Sequence, residues 1–269
     1  IDMFPGETDF IFICNNDHLN NSTFALKKIL FELCPTARIL GINAHKLGPV
    51  YAIQQAENLL DMNKPVVVNY CDFTCYWDWF SFKKFLSKTQ CHGAIPAYKG
   101  FHPHTLGTTN YAYMKVSDGR VSDIQEKLPY TNNRMEEYAS SGTYYFATAD
   151  IMLKAFKYVV EKDLAVNSEF YVSLAYKYLL EKLQTTLVYP LQHFMQWGTP
   201  QDLKEYNYWS QAFKQLVKPI SLDASPKGSF IVPMAGLGKR FADQGYQKIK
   251  PLIPVSGRGM VLQASNDLP

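Results

Sequence analysis

The stretch Phe230–Val255, FIVPMAGLGKRFADQGYQKIKPLIPV, decides how this chain is read. It opens on Phe230, Ile231 and Val232, an apolar run that reads as a buried strand. The chain then turns through Ala235, Gly236, Leu237 and Gly238. Two glycines let backbone N–H groups approach a ligand with no Cβ in the way. Lys239 and Arg240 follow at once, and Lys250-Pro251 stands ten residues further on. N–H groups beside fixed cations suit a polyphosphate. A Gly-x-Gly pair alone is most often a plain turn. Phe241 stands where a dinucleotide fingerprint needs its third glycine, and there is no G-x-x-x-x-G-K-[ST] for a P-loop.

The remaining pattern, a strand, then A-G-x-G-x-R-F, then K-P-L, resembles the signature of the sugar-phosphate nucleotidyltransferases, or nucleotide-sugar pyrophosphorylases. The resemblance implies a Rossmann-like three-layer α/β/α fold with a mainly parallel mixed sheet. It implies that the loop Ala235–Lys239 wraps an NTP triphosphate, with Arg240 on the leaving β,γ-phosphates and Lys250 on the α-phosphate. In that family the signature stands at the N-terminus, whereas here it follows some two hundred residues that read as the rest of the same domain. The expected organisation is therefore residues 1–217 as the body, 218–228 as a linker, and 229–269 completing the domain in circularly permuted order. A piece of a tandem or larger protein is the alternative. Permutation is tolerable where termini are exposed and close together.

Composition sets the frame. The 269 residues, 47% hydrophobic, suffice for one substantial α/β core. A net charge of +3 is too mild to argue for nucleic acid, so only a local anion site is implied. Cys14, Cys34, Cys71, Cys75 and Cys91 lack finger spacing and read as buried free thiols in a reducing cytoplasm. No apolar run is long enough to span a bilayer, and no signal peptide opens the chain. A homo-oligomer stays open.

Along the chain, Asp9–Cys14 and Ala37–Ile42 read as strands, with a loop over Asn15–Asn21 and a helix capped by Ser22 through Leu33. Gly48-Pro49 opens a helix whose N–H groups point outward. Pro65–Tyr70 (PVVVNY) is the clearest buried strand, and it runs into Cys71-Asp72. A carboxylate just past a central strand sits at the ligand crevice of an open α/β sheet and can hold Mg²⁺ against phosphate oxygens. A simple cap is the alternative reading, and Asp78 is read as a helix cap. His102 and His104 have no third ligand nearby and read as loop contacts to substrate. Tyr111–Val116 and Val121–Lys127 flank Asp118-Gly119, a hairpin signal.

The resemblance carries further roles residue by residue. Gly48 and Gln54 fall on the nucleobase side. Asp72 matches the metal-binding carboxylate. Glu126 and Lys127 resemble an E-K-P element, with Leu128 inserted before Pro129, that binds sugar hydroxyls and the sugar phosphate; a solvated pair is the alternative. Gly142 lies in a glycine-containing strand, Ser140–Phe146, beside the sugar. Asn167–Tyr171 begins a helix, and its Glu169 falls where a sugar-binding acid stands; a plain N-terminal helix charge is the alternative. Gln196–Leu203 resembles the D-x-G-T-P-x-D turn, with Gln196 replacing the acid that often serves as second Mg²⁺ ligand, which leaves that ligand in doubt. Asp202 reads as a helix cap.

The implied reaction is NTP plus sugar 1-phosphate giving NDP-sugar and pyrophosphate, with Mg²⁺ as cofactor. The stretches GFHPHTLGTTNYAY, EEYASSGTYYF and FMQWGTP are similar to a bacterial subgroup associated with capsule and surface polysaccharide. Three alternatives stay open: a cytidylyltransferase acting on a non-sugar phosphate such as choline phosphate, a glycosyltransferase, and a silent regulatory copy. Asp72-Phe73-Thr74 lacks the Asp-x-Asp that glycosyltransferases usually carry. The presence of Arg240, Lys250 and Asp72 argues against silence.

Overall fold

The computed structural model describes residues 1–102, 110–217 and 231–265. They divide into two units, Ile1–Ser210 and Gln211–Pro269. In the first unit, the apolar run IFICN forms β1 (Ile11–Asn15), followed directly by the short helix α1 (Asn16–Asn20) where a loop was expected. Helix α2 (Leu26–Leu33) starts later than a Ser22 cap would place it. Asn21 accepts instead from the Thr23 N–H, an Asx turn that diverts the chain, and Ala25 is left-handed before the helix begins. Next come β2 (Arg38–Ile42), α3 (Pro49–Gln54), β3 (Val66–Asn69), β4 (Phe73–Tyr76) and α4 (Trp79–Thr89). Asp78 caps α4 through the Ser81 N–H at 3.1 Å.

β5 (Gly93–Tyr98) is buried throughout. β6 (Ala112–Ser117) and β7 (Arg120–Glu126) form the expected hairpin, with Asp118 and Gly119 both left-handed. The stretch expected as one strand over Ser140–Phe146 is two: β8 (Tyr138–Ser140) and β9 (Thr143–Phe146). The break falls at Gly142, whose φ of +94° no strand residue adopts. α5 (Ala149–Glu161), α6 (Val172–Glu181), β10 (Thr186–Pro190), β11 (His193–Gln196) and α7 (Pro200–Leu216) complete the series.

Seven strands join in the order β10-β7-β6-β8-β5-β9-β3. The sheet is mixed, as expected, but not mainly parallel. Among the described residues, only β10–β5 of its seven pairings is parallel. One antiparallel pairing follows from the two-residue turn between β6 and β7, since a connection that short can only join antiparallel strands. β8 and β9, on either side of Ser141-Gly142, do not pair with each other, and both run antiparallel to β5. β1 and β2 pair parallel in a separate two-stranded sheet, and β4 and β11 form an antiparallel ribbon.

The period-2 alternation of strand side chains makes three layers. Val66 and Val68, Ile95 and Ala97, Tyr144 and Phe146, and Val188 face one core with α5 and α6 residues such as Phe156, Val159 and Tyr176. Val67, Ala94, Tyr145, Leu187 and Tyr189 face the other, against Trp79, Phe82, Phe85 and Leu86 of α4. Fully burying a side chain such as Phe82 or Phe156 contributes about 1.5–3 kcal/mol.

All five cysteines are free, but only Cys34, Cys75 and Cys91 are buried; Cys71 is exposed, because it lies past the end of β3. Among the described residues no helix is long and apolar enough to cross a membrane.

In the second unit, α8 (Lys239–Ala242) is one turn long. A 3₁₀ turn over Lys250–Leu252 leads to β12 (Pro254–Val255), which pairs with β13 (Arg258–Gly259) before α9 (Met260–Ser265). Ile231 and Val232 do not form the expected strand, and they are 88% and 46% exposed. A short apolar run becomes a strand only where a neighbour offers its edge. Phe230 and the expected linker 218–228 lie outside the described residues.

Candidate active site

Asp72 follows β3 and precedes β4, so a strand does lead into it as expected. But among the described residues β3 ends the seven-stranded sheet and only its Val68 is buried, so it is not the buried central strand that the apolar run suggested. The structure adds what lies beside Asp72. β11 pairs with β4 so that Gln196 stands opposite Phe73. The Asp72 carbonyl accepts from the Trp197 N–H at 2.9 Å. A Cβ on Gly198 would lie 2.7 Å from Asp72 Oδ2, so the turn runs directly beside this carboxylate. Two segments far apart in sequence, Asp72 and Gln196–Gly198, thus meet.

Gln196 is buried, and its amide orientation is set by Asp202, whose Oδ1 accepts from Nε2 at 2.7 Å. That leaves Gln196 Oε1 buried with no hydrogen-bond partner among the described residues. Asp202 also accepts from the Thr199 N–H and hydroxyl, while the Asp202 N–H donates to Thr199 Oγ1. This is a capping box at the start of α7, which accounts for Asp202 without a ligand. An exposed carboxylate and an orphaned amide oxygen are hard oxygen donors. They fit a cation of the Mg²⁺ kind that keeps waters and substrate phosphate oxygens as its other ligands. Among the described residues no cluster of three His, Cys, Asp or Glu side chains could hold a metal by itself.

A second cluster lies at the end of β7. Glu126 is only 9% exposed, and its Oε2 accepts from Ser173 Oγ at 2.5 Å. Burial pushes its carboxyl up to about 7 against the pull of Ser173 and Lys127, with Glu169 adding to the rise. Lys127 is left-handed, with φ of +59°. Its ammonium donates to Tyr171 Oη at 2.6 Å and lies 4.5 Å from that ring's centre. The Tyr171 hydroxyl donates in turn to the Glu169 carboxylate.

Glu169 is not in a helix, contrary to expectation. Val166 and Glu169 exchange both backbone bonds around left-handed Asn167 and Ser168, and Tyr171 is the residue from which α6 starts. That tight turn uses the backbone groups a helix would need.

Tyr70 links the two clusters. Its backbone N–H donates to the Gly142 carbonyl at 3.1 Å, and a Cβ on Gly142 would meet the Phe73 and Tyr70 rings at 3.0 and 3.3 Å. Gly142 therefore admits two aromatic rings from the Asp72 segment. The Tyr70 hydroxyl is buried near Tyr144, Glu126 and Tyr171, and burial raises its pKa.

Gly48 has φ of +83°, and a Cβ there would lie 2.7 Å from the Phe170 nitrogen. The Leu47 carbonyl accepts from Phe170, and the Val50 N–H donates to the Phe170 carbonyl. Gly48 thus packs the start of α3 against Glu169-Phe170, a structural demand beyond the nucleobase role expected of it. Gln54 ends α3, half-buried. His102 rests on the Tyr98 ring at 4.4 Å, and burial lowers its pKa; His104 lies outside the described residues.

In the second unit, Ala235, Gly236 and Leu237 are exposed, and Gly238, with φ of +62°, starts α8. A Cβ on Gly238 would meet Lys250 Cβ at 3.1 Å, so the glycine loop and Lys250 adjoin. Lys239 and Arg240 extend from α8, both exposed.

Tyr171, Ser173 and Tyr111 escaped the sequence reading. Tyr111 has its hydroxyl pKa raised by burial and, to a lesser degree, by the charges of Asp202 and Asp72. The signal available for the others was the run Glu169-x-Tyr171-x-Ser173 at a helix start.

Residues 4–210 match the family described as nucleotidyl transferase; the stretch from residue 230 lies outside that match. No curated protein matches the chain. Among solved structures, the nucleoside-diphosphate-sugar pyrophosphorylase of Vibrio cholerae is similar, with 17% identity, a TM-score of 0.58, and 74% of this chain and 80% of that one covered. A UDP-glucose pyrophosphorylase complexed with UDP-glucose gives 15% identity, a TM-score of 0.55, and 76% and 81% coverage.

Proposed function

Because the chain belongs to the nucleotidyl transferase family, we propose that it transfers a nucleotidyl group from an NTP to a sugar 1-phosphate, releasing pyrophosphate. The observation that carries this reading is the joining, through Tyr70, of the Asp72–Gln196 oxygen donors to a cluster of two acids and a lysine. A phosphate with hydroxyl groups beside it matches that second cluster. The ammonium of Lys127 meets the phosphate, while Glu126 and Glu169 accept from hydroxyls. The similarity to two pyrophosphorylase structures supports the fold on which the reading rests.

In the proposed reaction an oxygen of the acceptor phosphate attacks the α-phosphorus in line. The P–O bond to pyrophosphate breaks, and its electron pair leaves with pyrophosphate. Such a step asks for positioning and charge neutralisation more than for acid–base groups. Lys127 orients the attacking phosphate. Asp72, with Gln196, would hold Mg²⁺, which when bound neutralises phosphate charge. The N–H groups of Gly236–Gly238 and Arg240 take the leaving phosphates, and Lys250 the α-phosphate, supplied by the same chain or another copy. Supply of nucleotide sugar to surface polysaccharide is part of the proposal and rests on sequence resemblance alone.

The test is pyrophosphate release from each NTP against a panel of sugar 1-phosphates, with choline phosphate included. Asp72→Ala is expected to abolish metal-dependent release without unfolding the protein, since the side chain is exposed. Turnover within a few-fold of wild type would remove Asp72 from the metal site.

A further inference from the structure

Glu126 and Lys127 are consecutive, and in a regular strand their side chains would point to opposite faces. Here both reach the same helix start: Glu126 bonds Ser173 and Lys127 bonds Tyr171. The left-handed backbone at Lys127 breaks the alternation, and such strain persists only where the surroundings hold it. The Lys127 N–H is itself held by the Tyr111 carbonyl at 2.9 Å.

We infer that Tyr171 is a positioning residue for the acceptor: its hydroxyl fixes the Lys127 ammonium and the Glu169 carboxylate at one point, so that a phosphate monoester meets an already oriented lysine. The inference rests on the reading of Lys127 as the acceptor-phosphate group. An ammonium cannot accept a hydrogen bond, so the tyrosine proton goes to Glu169 and its lone pairs face Lys127. Burial, and then the bond to Glu169, raise the Tyr171 pKa and keep the hydroxyl neutral.

The tyrosine is fixed in turn. It stands at the start of α6, and the preceding Phe170 is bonded on both sides to Leu47 and Val50. A lysine side chain left to itself loses up to about 2 kcal/mol of rotamer entropy when ordered. Tyr171 supplies that ordering before the ligand arrives, which is how a group off the reaction path changes affinity.

The experiment measures binding of inorganic phosphate by calorimetry, then steady-state kinetics with the best acceptor, for wild type, Tyr171→Phe, Lys127→Met and the double variant. Inorganic phosphate has no sugar hydroxyls, so direct contacts to Glu126 or Glu169 do not enter. Tyr171→Phe keeps the ring and removes the hydroxyl. It is expected to weaken phosphate about tenfold, the size of one hydrogen bond to a charged group. The KM for acceptor should rise in step, while the KM for NTP and kcat stay put. In the Lys127→Met background the tyrosine change should add nothing, because it acts through the lysine.

If Tyr171→Phe leaves phosphate affinity within twofold while Lys127→Met weakens it, the inference falls and the reading of Lys127 stands. If the two changes add independently, the inference also falls. If Lys127→Met changes nothing, or wild type binds no phosphate, the reading of Lys127 falls and the inference with it. Should Tyr171→Phe not fold, Glu169→Ala releases the tyrosine proton and leaves the ring in place. It is expected to weaken phosphate about threefold, again with no effect in the Lys127→Met background.

Discussion

At the scale of single residues, Glu126 gives the clearest handle. Its folded pKa of about 7 lies above the ordinary 4.5 because burial disfavours the anion. The folded state therefore binds more protons than the unfolded chain between those values. The stability this contributes is fully present below pH 4.5 and is lost as pH rises through 7. The loss is about 3 kcal/mol, since a tenfold change in proton affinity corresponds to about 1.4 kcal/mol. Denaturant titrations from pH 4 to 8 should show the decline, and Glu126→Gln should flatten it. Equal slopes in the two proteins would mean that Glu126 is solvated. The cations are tested by kinetics. Arg240→Ala and Lys250→Ala should each lower kcat by about 10²–10³, the scale of a lost transition-state donor. A change confined to the KM for acceptor would move them off the triphosphate.

At the scale of elements, glycine positions separate strain from space. Gly48 combines φ of +83° with backbone 2.7 Å from a would-be Cβ, whereas Gly100 has φ of +95° and nothing within 4 Å. Gly48→Ala is expected to cost about 2–4 kcal/mol and to disturb activity through Phe170 and Tyr171; Gly100→Ala should cost about 1–2 kcal/mol, from backbone strain alone. Thermal melts of the two variants compare them directly, and equal shifts would mean that Phe170 gives way. The Asp118-Gly119 hairpin and the β3 run were legible because turn chemistry and apolar period are local. The break at Gly142 was not. It follows from two rings, Tyr70 and Phe73, that arrive from seventy residues away.

At the scale of the whole molecule, the proposed reaction needs the glycine loop of the second unit at the phosphates held near Asp72, in one chain or between copies. A crystal structure of the unaltered protein with NTP and metal bound should place Gly238 within about 15 Å of Asp72, roughly the span of a nucleotide with its ligated ion. A larger separation in every copy would leave the chain as two partial domains of a larger protein. The expected strand at Ile231 and Val232 shows why the arrangement could not be read directly. Their apolar run specifies a strand only if another strand's edge is offered to it.

The sequence by itself determined much of the local grammar: the strand that leads into Asp72, the Asp118-Gly119 hairpin, a glycine loop with cations near Lys250, and which family the pattern resembles. These depend on residues within a few turns of one another. Only the tertiary structure decided that Gln196–Gly198 closes onto Asp72, that the sheet is mostly antiparallel, and that Ser173 and Tyr171 gather Glu126 and Lys127. Each of these is a contact between distant segments. It is selected by burial and by the need to satisfy buried polar groups, not by local propensity.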